Sequence, residues 1–222
     1  ELTGRLLAET TVPRLRLSSL EPWDIEPGFF DLWQDERLGA HLHLPLQSGC
    51  DRTLRRMARR TTQAAFSALV EAARARIPDL ALTTDIIVGF PGETDEEFEE
   101  SLRFVAAMDF ARLHVFPYSP RPGTAAARMP GQVPRAVSDE RKARMLAHSD
   151  ARWQAFQTRH LGQTHRILWE SARAATPDGF VWTGLTGNYL RAVTVTPDDL
   201  ANTITAARLT ALDEGGVRAE VV

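Results

Sequence analysis

Residues 84–101 read TDIIVGFPGETDEEFEES, and this stretch decides the fold. Residues 86–90 are continuously apolar, which is typical of a parallel strand buried on both faces. Pro91-Gly92 ends the strand, and Thr94 with Glu97 forms the Thr-x-x-Glu capping box that starts a helix. Acidic side chains fill the first turn of that helix, where the helix dipole favours negative charge. The stretch predicts one strand–turn–helix unit of an α/β fold.

Strands and helices alternate in the sequence on both sides of this stretch as well. Strands are predicted at Arg14–Leu20, His41–Leu46 and Leu113–Pro117, because apolar residues alternate or run together there. Helices are predicted at Phe29–Asp35, from Thr62 to about Ile77, and from Thr94 to about Met108. Four such strands predict a parallel sheet or a partial barrel, since a closed eight-fold barrel needs about 250 residues. Residues 1–10 resemble the end of a helix, so we expect the chain to begin within a fold.

The composition of the sequence changes after Tyr118. Residues 119–137 hold four prolines and two glycines and predict an extended connector, after which Ser138 is expected to cap a helix reaching about His160. From Thr164 onward, short apolar segments are separated by turn residues at intervals of about 8–12, which is typical of a small all-β barrel. The predicted divisions are 1–118, 119–160 and 161–222.

Composition excludes several classes of protein. The chain has 222 residues, a formal net charge of -3 and a single cysteine, Cys50. One thiol forms no internal disulfide, and a metal or iron–sulfur site made of cysteines needs about four thiolates, or three and an open position. No apolar run of about 18 residues and no signal-peptide pattern is present, so we expect a cytoplasmic protein that is not bound to a membrane.

The ends of the predicted strands carry small and polar residues. The carboxyl ends of parallel strands lie at one edge of the fold, where their loops converge on ligands. The glycines of residues 89–93 allow close backbone approach, and Glu93 offers a carboxylate to an ammonium or a ribose hydroxyl. The alternative is that these residues only make turns. His41 and His43 lie on one face of a strand and could bind a metal, but the sequence favours hydrogen-bonded core histidines.

Three long segments resemble one enzyme family. They are HLHLPLQSGCDRTLRRMARRTT at 41–62, TDIIVGFPGETDEEFEES at 84–101 and HVFPYSPRPGTAAARMPGQVP at 114–134, and they are similar to radical S-adenosylmethionine (SAM) methylthiotransferases. RLRLSSLEPWD at 14–24 and GLTGNYLRAVTV at 184–195 look most like the branch acting on threonylcarbamoyladenosine beside the tRNA anticodon. Relatives acting on isopentenyladenosine or on a ribosomal protein are less similar. The resemblance implies a partial radical SAM barrel followed by a small RNA-binding β-barrel, the TRAM domain.

The resemblance also implies cofactors and a reaction. The full enzyme would cleave SAM reductively to a deoxyadenosyl radical, which removes hydrogen from an adenine ring carbon where a methylthio group is then attached. The cysteines that hold the 4Fe-4S clusters of the family have no counterpart here, so no metal ligand is assigned in this chain and we expect the chain alone to be inactive. No catalytic residue is assigned. The positions expected to face SAM are Ser19, Glu21, Gln47, Ser48, Gly89, Pro91, Gly92, Glu93 and Tyr118.

The implied macromolecular partner is tRNA, with no DNA and no membrane. A monomer is expected, although the sequence does not determine the oligomeric state. The basic residues include 25 arginines and one lysine, and arginine binds phosphate through a planar fork. The residues expected to contact RNA are Arg52, Arg55, Arg56, Arg59, Arg60, Arg121, Asn188, Tyr189 and Arg191. Two alternatives stay open: solvated helix faces for the arginine runs, and a non-catalytic RNA-binding module for the chain as a whole.

Overall fold

The computed structural model describes residues 1–26 and 28–222. The chain forms two compact units. The sheet unit consists of Leu17–Asp31 and Leu42–Trp153, and the barrel unit consists of Glu1–Arg16, Leu32–His41 and Gln154–Val222. None of the helices described is both long and apolar enough to cross a membrane.

The sheet unit is built on three strands alternating with helices. The elements are β1 (His41–His43), α2 (Asp51–Arg56), α3 (Gln63–Arg76), β2 (Ala81–Val88), α4 (Asp95–Ala107) and β3 (Arg112–Pro117), with α1 (Leu2–Glu9) preceding them in the chain. The strands lie in the order β1-β2-β3, and β2 and β3 are parallel. Phe66 and Phe98 of the helices are buried with Leu82 and Ile86 of β2, because these apolar faces meet in one core.

Local sequence signals confirm two helix starts. The Thr62 hydroxyl accepts a hydrogen bond from the Ala65 N–H at 3.2 Å and caps α3. Thr94 and Glu97 form the complete capping box of α4, whose C-cap residue is Met108. Both devices involve residues three positions apart, so a sequence pattern can reveal them.

Several sequence predictions differ from the structure, and the strand predicted at His41–Leu46 spans only His41–His43. Residues 14–20 do not form a strand: Leu15 makes an isolated bridge with Leu38, because its neighbour is an irregular segment. The long helix α5 (Arg135–Arg159) begins three residues before Ser138, so the prediction that Ser138 caps it is wrong. Pro134 immediately precedes this helix and its carbonyl accepts the Ser138 N–H at 3.1 Å, since proline is tolerated where no N–H is needed.

The barrel unit contains a closed five-stranded β-barrel, which confirms the predicted all-β module. Its strands are β4 (Thr164–Thr176), β5 (Gly179–Thr186), β6 (Arg191–Thr196), β7 (Ile204–Asp213) and β8 (Gly216–Val221). They close in the order β4-β5-β6-β8-β7, with a parallel pairing only between β6 and β8. Trp169, Leu209 and Val217 are fully buried in its interior.

Candidate functional site

A bulge at the end of β1 positions Gln47 and Ser48. Pro45 has no N–H, and the residues on either side of it both bond the Thr84 hydroxyl of β2. That hydroxyl donates to the Leu44 carbonyl at 2.7 Å and accepts the Leu46 N–H at 2.9 Å. Gln47 makes an isolated parallel bridge with Ile86: its N–H donates to the Asp85 carbonyl at 2.8 Å, and its φ is 75°. Since the Leu44 N–H donates to the Thr83 carbonyl at 3.0 Å, three residues on this side span two residues of β2, which is the pattern of a β-bulge.

The Thr84 hydroxyl is therefore expected to contribute to the stability of the fold. Thr84→Val keeps the shape of the side chain but leaves a buried N–H and a buried carbonyl without partners, so we expect a loss of about 1–3 kcal/mol in the free energy of unfolding. Thr84→Ser keeps the hydroxyl and is expected to lose less, because only a methyl group is removed. Urea unfolding of both variants tests the role, and equal losses would contradict it.

The turn after β2 is held by hydrogen bonds to the carboxylate of Glu93. Glu93 is buried and accepts the Gly89 N–H at 2.8 Å and the Arg141 guanidinium at 2.7 Å. Burial raises the pKa of the Glu93 carboxyl, and the Gly89 N–H and the Arg141 charge oppose that rise. Arg141 is itself buried and also donates to Asp95 at 2.6 Å. This carboxylate therefore holds the turn in shape, and its predicted contact with SAM stays a prediction, as do those of Pro91 and Gly92.

Two other residues that are predicted to face SAM, Glu21 and Tyr118, have buried polar atoms. The Tyr118 hydroxyl and one carboxylate oxygen of Glu21 are buried and make no hydrogen bond with any residue the structure describes. The ring of Tyr118 meets Phe90 edge-on at 5.3 Å, and the Glu21 oxygen lies 3.8 Å from the Arg59 guanidinium. Ser19 is exposed in a left-handed conformation with a φ of 56°. Buried polar atoms need partners, so the first two fit a polar ligand at this edge.

One polar cluster was not predicted. His43 Nδ1 lies 3.0 Å from the Thr83 hydroxyl, His43 Nε2 lies 3.4 Å from Asp85, and the His114 ring lies 5.5 Å from the His43 ring. Burial and the neighbouring His43 lower the pKa of His114. His43 is hydrogen-bonded, as the sequence favours, and the described residues contain no group of three or more side chains that could hold a metal. Strand parity and the Asp85–His114 register could have revealed the cluster.

Three of the arginines in the 52–60 run are held by carboxylates of the sheet unit. Arg56 makes two contacts with the buried Glu97 carboxylate, one of them at 3.0 Å, and this hydrogen bonding lowers the pKa of Glu97. Arg52 lies 3.4 Å from the same carboxylate, and Arg59 pairs with Glu21. Arg55, Arg60 and Arg121 are exposed. Contact of any of these residues with RNA stays a prediction.

In the barrel unit, the loop after β5 places Asn188 inside and Tyr189 outside. The Asn188 carbonyl oxygen accepts the Thr186 hydroxyl at 2.6 Å, and its amide nitrogen lies 3.2 Å from His160 Nε2. Asn188 is 3% exposed, so the structure does not present it to RNA as the sequence suggested. Tyr189 is 38% exposed, and Arg191 is also at the surface.

Asn188 is therefore expected to act on stability. Asn188→Ala leaves the Thr186 hydroxyl and a nitrogen of His160 without this partner in a buried place, so we expect a loss of about 1–3 kcal/mol in the stability of the barrel unit. Amide hydrogen exchange in β5 and β6 measures that loss. A variant of wild-type stability that binds RNA more weakly would contradict the interior role.

Comparison with known proteins points to one family. Residues 12–105 match the radical SAM superfamily. The chain is 37% identical over 199 residues to the threonylcarbamoyladenosine tRNA methylthiotransferase MtaB of Bacillus subtilis, covering 89% of this chain and 44% of MtaB. It is 44% identical over 170 residues to a tRNA-2-methylthio-N(6)-dimethylallyladenosine synthase of Novosphingobium aromaticivorans, covering 76% of this chain and 38% of that protein. These similarities support assignment of the chain to the radical SAM methylthiotransferase family.

A solved structure supports the fold. Coproporphyrinogen III oxidase (HemN) from Escherichia coli, a radical SAM enzyme, aligns with a TM-score of 0.50 at 18% identity, covering 84% of this chain and 50% of that chain. The chain spans 38–44% of the length of the two curated relatives named above. Activity, substrate and partners are therefore taken up as proposals.

The two kinds of cofactor of this family fit the segment differently. The unsatisfied Tyr118 hydroxyl and Glu21 oxygen, beside the positive-φ glycines 89 and 92, suit a polar ligand such as SAM. An iron–sulfur cluster does not fit the described residues, because the only thiol, Cys50, is fully buried. Cys50 is also the N-cap residue of α2.

Proposed function

We propose that this chain is the part of a tRNA methylthiotransferase that holds one side of SAM and carries an RNA-binding barrel. The observation that carries the proposal is the similarity to MtaB, which extends over 89% of the chain. The proposed substrate is a modified adenosine beside the anticodon. Threonylcarbamoyladenosine is favoured by the length of the match to MtaB, and dimethylallyladenosine by the higher identity to the second relative.

In this proposal the chain's own residues bind and orient. Glu21 and Tyr118 would exchange hydrogen bonds with SAM, and the Gln47–Ser48 backbone after the bulge would contact it as well. The turn fixed by Glu93 and Arg141 lets a ligand approach the Gly89 and Gly92 backbone closely. SAM, when bound, would supply the radical that abstracts hydrogen, and the residues of this chain would position SAM and exclude water. We expect the enzyme to be cytoplasmic.

The test is a reaction on tRNA. The open reading frame that contains this chain would be expressed whole, reconstituted with iron and sulfide under anaerobic conditions, and incubated with SAM and a reductant. We expect nucleoside mass spectrometry to show a methylthio group on threonylcarbamoyladenosine or dimethylallyladenosine. A reconstituted protein that absorbs as an iron–sulfur protein but leaves both nucleosides unchanged would overturn the proposal.

A second candidate function is RNA binding without catalysis. The burial of Cys50 favours it for the chain alone, because the described residues provide no exposed thiol for a cluster. This candidate predicts salt-sensitive binding of tRNA by the 222-residue chain. No retardation of tRNA at low salt would exclude it.

A further inference from the structure

In the barrel unit, the aromatic residue Tyr189 has a strained backbone conformation and lies among basic residues. Tyr189 has a φ of 68°, a left-handed conformation that is uncommon for a bulky side chain. Such strain persists only where the surroundings determine it, and it is concentrated at functional sites. The surroundings here are the buried hydrogen bonds of the loop: the Thr186 hydroxyl donates to Asn188 and accepts the Leu190 N–H at 2.9 Å.

An arginine distant in sequence covers one side of this ring. The Arg16 guanidinium lies 3.7 Å from the centroid of the Tyr189 ring, and the His41 ring lies 4.8 Å from it. A guanidinium stacked on an aromatic ring forms a flat, positively charged surface. Arg16 and Tyr189 are both exposed, so this composite surface reaches solvent.

Further positive charge surrounds the pair. Arg14 donates to the carbonyls of Leu185 and Arg166 at 2.8 Å, and Arg191 is paired with Leu185 in the sheet. The segments that meet here, 10–16, 164–168 and 184–192, contain arginines 14, 16, 166 and 191 and no aspartate or glutamate. The charge of Arg166 contributes, after burial, to lowering the pKa of Arg14, as expected where positive charges are crowded. The local field is therefore positive although the chain as a whole carries -3.

We propose that the Arg16–Tyr189 pair is a stacking platform for an unpaired nucleobase of RNA, with arginines 14, 166 and 191 contacting the flanking phosphates. The inference rests on the proposed function for the identity of the partner. It adds a residue set from the N-terminal segment, arginines 14 and 16, that the sequence did not single out. An unpaired base offers the flat face that an aromatic ring and a guanidinium can stack on, and phosphates match the arginine forks.

The test uses the full chain and fluorescence anisotropy. The probes are a labelled RNA hairpin with an unpaired loop and the blunt duplex of the same stem. Tyr189→Asn is the informative variant, because asparagine adopts the left-handed conformation while losing the ring. We expect it to weaken hairpin binding about 5- to 100-fold and duplex binding far less, which is the effect of losing one stacked base. Tyr189→Phe is expected to retain binding.

Charge variants give a second, independent readout. Arg191→Ala should weaken binding and reduce the slope of log K against log salt by about 0.7, as for one lost phosphate contact on a single strand. Arg16→Ala removes half of the stacking platform and should weaken hairpin binding more than duplex binding. Arg173→Ala, an exposed arginine elsewhere on β4, is the matched control and should leave the slope unchanged. Circular dichroism and thermal melts establish that each variant is folded.

The possible outcomes separate this inference from the proposed function. If Tyr189→Asn and Arg16→Ala bind the hairpin as tightly as the parent chain does, the platform is overturned, but tRNA remains the proposed partner. No RNA binding by the parent chain overturns the platform, while the mass-spectrometric reaction assay still decides the enzymatic function. Binding of polyglutamate with the same dependence on Tyr189 would assign the surface to an acidic peptide and also overturn the inference.

Discussion

Arg141→Met is expected to lower the free energy of unfolding of the sheet unit by about 3–5 kcal/mol, because it leaves a buried carboxylate without its counter-ion. The Arg141 and Glu93 side chains are only 5% and 2% exposed. Asp95, the other partner of Arg141, is 87% exposed and contributes little, since water screens it. The loss is therefore expected to come almost entirely from Glu93.

The loss should depend on pH in a defined direction. Burial raises the pKa of folded Glu93 above its value in the unfolded chain, and Arg141 opposes that rise. A carboxyl with a raised pKa holds its proton longer in the folded state, so stability falls as the pH rises from the unfolded pKa through the folded pKa. Removing Arg141 raises the folded pKa further and widens this window. Arg141→Met is therefore expected to be less destabilising at acidic pH than at neutral pH.

Two variants control this result. Arg144→Met lies on the same helix and removes a pair with Glu99 in which both side chains are about 40% exposed, so it should cost no more than about 1 kcal/mol. The double variant Arg141→Met, Glu93→Gln removes both charges and should recover much of the loss. Urea unfolding with hydrogen exchange of the β2 amides measures each step. Equal losses for the two arginine variants, independent of pH, would contradict a buried ion pair.

The parts of the fold that the sequence predicts are those that depend on near neighbours. Thr62 and Thr94 mark helix starts correctly because capping involves residues three positions away. The barrel strands follow from alternation and turn residues for the same reason. Ser138 shows the limit: its residue type is typical of a cap, but burial against Gly89 places it inside α5.

The candidate site depends on partners that are far apart in the chain. Arg141 is one of 25 arginines, and no local signal connects it to Glu93, 48 positions earlier. The pairing of His43 with Asp85 depends on strand order and register, which alternation alone does not determine. Asn188 occurs in a turn-like sequence that suggests the surface, yet its hydrogen bonds to Thr186 and His160 keep it buried.

Gly89→Ala is expected to be the second most damaging substitution, with a loss of about 2–5 kcal/mol. Gly89 has a φ of 72°, where an L-residue pays about 1–2 kcal/mol. A Cβ atom at this position would lie 2.0 Å from the Ser138 hydroxyl oxygen and 2.9 Å from the Ser138 Cβ, and such overpacking costs about 1–3 kcal/mol more. The turn that carries Glu93 would have to move away from α5.

Matched variants separate the two causes. Gly123 has a φ of 86° and nothing within 4 Å of an added Cβ, so Gly123→Ala measures the conformational cost alone. Ser138→Gly removes the side chain that the new Cβ would meet. The loss caused by Gly89→Ala should therefore be smaller when it is measured in the Ser138→Gly background. The part that remains is the conformational cost of alanine at position 89. Urea unfolding of these four variants gives the coupling free energy between positions 89 and 138. A Gly89→Ala loss no larger than that of Gly123→Ala would show that α5 yields to the new side chain, and the close approach of Ser138 would then not constrain the strand-end turn.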